Sequence, residues 1–120
     1  MTRSSHRPKR LASLVQATVA SALASAVKDP RVGFVTVTGA HVAPDASYAT
    51  IHVSVLGSDE AKAAAMDGLE SARGFLRTHL ARALPLRVAP ELRFVLDRTL
   101  ERAARIDHLL AEIKRDEPAP

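Results

Sequence analysis

The chain has 120 residues, enough for one domain with a real core but not for two. It contains no cysteine, which excludes a disulfide framework, a thiolate nucleophile and a thiolate metal site, and no apolar run reaches the roughly 18 residues that span a bilayer. The formal net charge is +4, placed unevenly: residues 1–31 carry six basic and one acidic side chain, 32–72 one and five, 73–93 five and one, and 94–120 five and six.

Residues 1–9 (MTRSSHRPK) are polar and basic without periodicity, and a flexible basic arm is expected there. From Arg10 onward Leu11, Leu14, Val15, Thr18, Val19, Ala22, Leu23 and Ala26 form a broad helical stripe. Pro30 biases Asp29 away from helix, and Lys28 is expected in the last helical turn, where a cation suits the dipole. Ser, Thr and Gln interrupt Leu11–Val27, which does not resemble a signal peptide, so a soluble cytoplasmic protein is expected.

Two strands follow, Phe34–Ala43 and Tyr48–Leu56, rich in Val, Thr and Ile and joined by the turn residues Pro44-Asp45-Ala46-Ser47. Ala49, Ile51, Val53 and Val55 alternate cleanly, whereas Val35 and Val37 have the opposite parity to Ala40 and Val42. One extra residue at Gly39, a β-bulge, restores agreement and pairs Val42 with Ala49, Ala40 with Ile51, Val37 with Val53 and Val35 with Val55. Thr36, Thr38, His41, Thr50, His52 and Ser54 then make a polar outer face, which implies helices packed on the other face only.

Ser58 reads as an N-cap, with Asp59 and Glu60 in the first helical turn. Leu69, Ala72, Leu76, Leu80 and Ala83 share one face of the helix that follows, and Arg73 and Arg77 lie one turn apart along its edge. Gly74 interrupts the pattern at a cost of roughly 1 kcal/mol relative to Ala; a bend is expected at Ala72-Arg73-Gly74, with helix resuming at Phe75 and stopping at Pro85. Glu91–Leu96 reads as a third strand with Leu92, Phe94 and Leu96 inward. Asp97 or Thr99 can cap a last helix whose Leu100, Ala103, Ile106, Leu109, Leu110 and Ile113 make an apolar stripe.

The signatures of catalysis are missing from the sequence. No Gly-rich phosphate loop, GxSxG or HExxH occurs. His41 and His52 fall diagonally on the outer sheet face without a carboxylate or third His nearby in the pattern, so no metal site is expected. Neither an enzyme nor a cofactor is expected. Two classes of function remain: an RNA-binding factor acting by charge and shape, and a basic protein-interaction domain that docks an acidic partner. With Tyr48, Phe34, Phe75 and Phe94 the only aromatics, base stacking is expected to contribute little beside backbone contact.

Several pieces, in this order and spacing, resemble the ribosome-binding factor A family. They are Asp29-Pro30-Arg31, Pro44-Asp45 before Tyr48-Ala49, Ala72-Arg73-Gly74-Phe75-Leu76-Arg77, Leu86-Arg87, Pro90-Glu91-Leu92-Arg93-Phe94, Asp97, Arg105-Ile106 and Leu109-Leu110. The resemblance implies an α+β fold, KH-like of the second type (α-β-β-α-kink-α-β), with helices on one face of a three-stranded sheet and an extra C-terminal helix. KH domains clamp a nucleic-acid backbone with a GXXG loop; the family instead carries an Ala-X-Gly kink, which Ala72-Arg73-Gly74 matches. The implied partner is the precursor of the small (30S) ribosomal subunit and its 16S rRNA, assisted in late maturation and rRNA processing by a monomer with no membrane and no small-molecule substrate. The RNA-contacting set is then Lys9, Arg10, Lys28, Arg31, Ala72, Arg73, Gly74, Arg77 and Arg82. The expected organisation is an arm over 1–9, the KH-like domain over 10–97, the C-terminal helix over 98–114 and a disordered tail over 115–120.

Overall fold

The β-branched stretches and the long amphipathic stretches fold into two layers. Helices α1 (Thr2–Ser25) and α2 (Asp59–Ala83) cover one face of a sheet made by β1 (Val35–Val42), β2 (Tyr48–Val55) and β3 (Glu91–Leu96), and a third helix, α3 (Thr99–Asp116), follows the last strand. The computed structural model describes residues 2–85 and 88–116, so Leu86-Arg87 and the end of the expected tail lie outside the described residues. The strand order is β1-β2-β3, with β1 antiparallel and β3 parallel to the central strand, and α2 forms the crossover that a parallel pair requires.

The hairpin adopts the expected register. Val35 pairs with Val55, Val37 with Val53, Ala40 with Ile51 and Val42 with Ala49, and the register shifts between Val37 and Gly39. Thr38 is the extra residue of the bulge, and Gly39 stands opposite His52. The turn is closed by Asp45, whose Oδ1 accepts from the Ser47 amide at 3.1 Å and its hydroxyl at 2.7 Å. Ala46 sits in the left-handed region there, at φ 59°. Ala49, Ile51 and Val53 are completely buried beneath the helices, with Leu92 of β3 beside them.

Val15, Val19, Ala22 and Leu23 of α1 and Leu69, Leu76 and Leu80 of α2 supply the other half of the core. A fully buried Leu or Val is stabilised by roughly 1.5–3 kcal/mol of transfer free energy, which makes this two-layer seam the main cohesive element of the domain. Phe94 is only partly buried at its edge.

Several boundaries differ from those expected, and α3 runs to Asp116, two residues into the segment read as a disordered tail. Helix α1 begins at Thr2, so the segment read as a flexible arm is helical from Thr2 onward; apolar periodicity marks the packed part of a helix, and a polar extension carries no such mark. That helix ends at Ser25, which leaves Lys28 in the connection after it and not in its last turn. Helix α2 is capped by Ser58, whose Oγ accepts from the Ala61 amide at 3.1 Å, and it runs unbroken from Asp59 to Ala83 through Ala72-Arg73-Gly74. The second helical segment expected beyond a bend is thus a continuation of the first. The Thr78 hydroxyl donates to the Gly74 carbonyl at 3.0 Å, the i−4 bond that bends helices without breaking them.

Helix α3 presents a different surprise. Glu101 pairs with Lys62 of α2, and Glu101 and Ala104 line a cleft of about 470 Å³ with Phe34, Val55 and Leu56. Ile106, Leu109, Leu110 and Ile113 are exposed, so the apolar stripe of this helix faces solvent.

Candidate nucleic-acid interface

The connection after α1 is built by its own charges. Asp29 is extended, and its Oδ1 accepts from the Arg31 amide at 2.9 Å, capping the single 3-10 turn Pro30–Val32. The Arg31 guanidinium folds back on the same carboxylate, with Nη2 2.6 Å from Oδ2 and Nε 3.0–3.1 Å from both oxygens. This fork holds the Asp29 carboxyl below its usual range and pushes the Arg31 guanidinium up.

The turn is seated on α2 at Gly68. A Cβ placed on Gly68 would meet Val32 Cγ1 at 3.0 Å and Arg31 Cβ at 3.1 Å. Arg31 Nη2 also reaches Ser71 Oγ at 3.5 Å. Arg31 of the first basic segment therefore packs against α2 at Gly68 and Ser71, one turn before Ala72-Arg73-Gly74.

Gly74 differs from Gly68 in its surroundings. Among the described residues nothing beyond the adjoining chain and helix backbone lies within 4 Å of a Cβ built there, so their packing does not require a glycine at that position. It is exposed, on the outward crest of α2, and Ala72 beside it is partly buried against the core.

Arg73 and Arg77 lie on the flank of α2 opposite Arg31, by the helical repeat. Arg73 is exposed and pairs with Glu70 at 3.4 Å. Arg77 donates from Nε and Nη2 to the Ala89 carbonyl at 3.3 and 3.1 Å, so part of its donor fork ties the loop before β3 to the helix. Lys9 and Arg10 are exposed on α1, Lys28 is exposed after it, and Arg82 is exposed in the last turn of α2.

The result is a surface of arginines around an open glycine, in which Asp29 and Glu70 already engage two of the cations. Arginine forks suit phosphate oxygens, and an exchange of carboxylate for phosphate is the chemistry this arrangement permits. Two residues escaped the sequence reading. Gly68 is a buried packing glycine whose signal was its place on the apolar face. Phe75 lies one position off the Leu69–Ala72–Leu76–Leu80 stripe; it is 50% exposed and stacks on His79 with ring centroids 6.1 Å apart. Among the described residues no cluster of three or more His, Cys, Asp or Glu could hold a metal ion, and no helix is long and apolar enough to cross a membrane.

Helices on one face of a three-stranded mixed sheet, with a small-residue segment on the crossover helix, define an α+β domain of the KH-like second type. Residues 7–110 match the family model described as ribosome-binding factor A, and the chain belongs to that family. Ribosome-binding factor A of Desulforamulus reducens is 42% identical over 116 residues, 97% of either chain. The crystal structure of ribosome-binding factor A from Thermus thermophilus superposes with a TM-score of 0.69 at 26% identity, over 77% of this chain and 97% of that one. A homology model of the Thermus thermophilus factor, as fitted into the cryo-EM map of a 30S–factor complex, matches with a TM-score of 0.60 at 27% identity, over 72% and 90%.

Proposed function

We propose that this chain binds the precursor of the small (30S) ribosomal subunit through its 16S rRNA and assists late maturation and rRNA processing. It acts as a monomer in the cytoplasm, without catalysis and without a cofactor. Family membership over residues 7–110 carries the reading, and the match to a factor fitted into a 30S complex supports it.

The open side of Gly74 supplies the physical support. A glycine that packing among the described residues does not require, set between arginines, is where a ribose-phosphate chain can come close. Arg31, Arg73 and Arg77 would contact phosphates there; Lys9, Arg10, Lys28 and Arg82 would extend the field.

The test is co-sedimentation of the protein with purified small subunits over a salt series. Gly74→Val adds a branched side chain into empty space, so net charge and melting temperature hold while association falls. Association of Gly74→Val equal to wild type at every salt concentration would place the RNA surface elsewhere.

A further inference from the structure

We propose that Phe75 and His79 form a stacking platform for one unpaired nucleobase, on the flank of α2 that also carries Arg82. The inference rests on the reading of the chain as an rRNA-binding protein, and it names a contact to a base where that reading invokes only the backbone.

Three observations lead to it. The aromatic ring is not a core residue: Leu69, Leu76 and Leu80 of the same helix are buried to 1% exposure or less, while Phe75 is 50% exposed. Its ring is held by its neighbour, since His79 stacks on it one turn along with 27° between the planes. Held rings cost a ligand little ordering entropy, and every nucleobase has a π face to offer them.

The surroundings fit the same ligand. Gly74, next in the chain, has no other described side chain within 4 Å of the place of a Cβ, so a sugar can approach the backbone there while its base lies on Phe75. Residues 75, 79 and 82 follow the i, i+4, i+7 spacing of a single helix face, which puts exposed Arg82 one turn beyond His79 in reach of an adjoining phosphate. Arg73 and Arg77 occupy the opposite flank. The crest at Gly74 therefore divides a flank that offers charge alone from one that offers charge with aromatic surface.

The chain has no tryptophan, which makes Phe75→Trp its own reporter. Titrated with purified small subunits, Phe75→Trp should bind at least as well as wild type, and its fluorescence should be quenched as the base stacks. Phe75→Leu keeps an apolar side chain without a π face; it should bind roughly five- to a hundredfold more weakly with an unchanged salt slope. Its melting temperature should stay near wild type. Binding by Phe75→Leu equal to wild type, or saturable binding by Phe75→Trp without quenching, would overturn the platform and leave the rRNA reading standing. A steep fall in the melting temperature of Phe75→Leu would show the ring packs within the domain and also overturn it. Wild type that fails to associate with small subunits at all would instead remove the underlying reading.

Discussion

The Thr38 hydroxyl donates to Oδ2 of Asp97 at 2.9 Å. Thr38 is the residue that the bulge adds to β1, and Asp97 follows β3, so the bond reaches across the central strand of the sheet. Asp97 is engaged on three sides. Its amide donates to the Val53 carbonyl and its Oδ1 accepts from the Thr99 amide at 2.9 Å, where α3 begins. An irregularity in the first strand thus helps fix where the last helix leaves the sheet.

Replacing Thr38 by Val keeps shape and β propensity and removes one hydrogen bond. The expected outcome is a melting temperature a few degrees lower at neutral pH. Hydrogen bonds from Thr99 foremost, then from Thr38, hold the Asp97 carboxyl below its usual range. A depressed carboxyl contributes stability that is complete above its unfolded value, about pH 4, and is lost as pH falls through the folded value. The gap between wild type and Thr38→Val should therefore narrow in melts taken from neutral pH downward. A gap independent of pH would mean that Thr38 acts through packing alone.

How much of this was legible differs by element, for physical reasons. The bulge could be placed between Val37 and Ala40 because side-chain parity in a strand is binary; parity does not choose between Thr38 and Gly39, and in the fold Thr38 is the extra residue. The α2 boundaries follow from the cap at Ser58 and the stop at Pro85. The end of α1 at Thr2 left no trace, because a solvated helical turn needs no pattern. The stripe on α3 was visible, but the direction it faces was not: Glu101 meets Lys62 of α2 while Ile106, Leu109, Leu110 and Ile113 stay exposed. At the candidate site, composition and spacing pointed to the arginines. They could not show that Asp29, Glu70 and the Ala89 carbonyl already engage Arg31, Arg73 and Arg77.

Gly68 and Gly74 sit in the same helix and should respond in opposite ways to alanine. At Gly68 the new methyl meets Val32 and Arg31 at 3.0–3.1 Å, and overpacking of this kind costs about 1–3 kcal/mol. The gain in helix propensity, about 1 kcal/mol, offsets only part of it. At Gly74 the methyl meets nothing, so the propensity gain stands alone. Urea melts should show Gly68→Ala less stable and Gly74→Ala more stable than wild type. Equal shifts for the two would refute the account of Gly68 as the packing glycine.

Arg73 and Arg77 should separate charge from architecture. Each substitution by Ala is expected to lower the slope of log association against log salt by about one unit. Arg77→Ala should also lower stability, by up to about 1 kcal/mol, because it releases the Ala89 carbonyl; Arg73→Ala should not. Arg77→Lys keeps the charge without the planar fork, so it should restore the salt slope and leave the stability loss in place. Matched thermal melts and co-sedimentation series decide this, and identical melting temperatures for all three variants would deny Arg77 its structural part.

The most discriminating change is at Asp29. Its carboxylate caps the Pro30–Val32 turn and engages Arg31 through three hydrogen bonds to the guanidinium. Asn at this position still accepts from the Arg31 amide, since Asn caps as well as Asp, so the turn should persist and the melting temperature should change little. What Asp29→Asn removes is the charge that occupies Arg31. If Arg31 contacts rRNA phosphate, its release from an internal partner should tighten association with small subunits at low salt. The salt slope should steepen by up to about one unit, and the advantage should fade at high ionic strength. Weaker association would show that Asp29 aims the guanidinium at its phosphate and does not compete for it. Association unchanged at every salt concentration would remove Arg31 from the interface and leave Arg73, Arg77 and Arg82 to carry the charge.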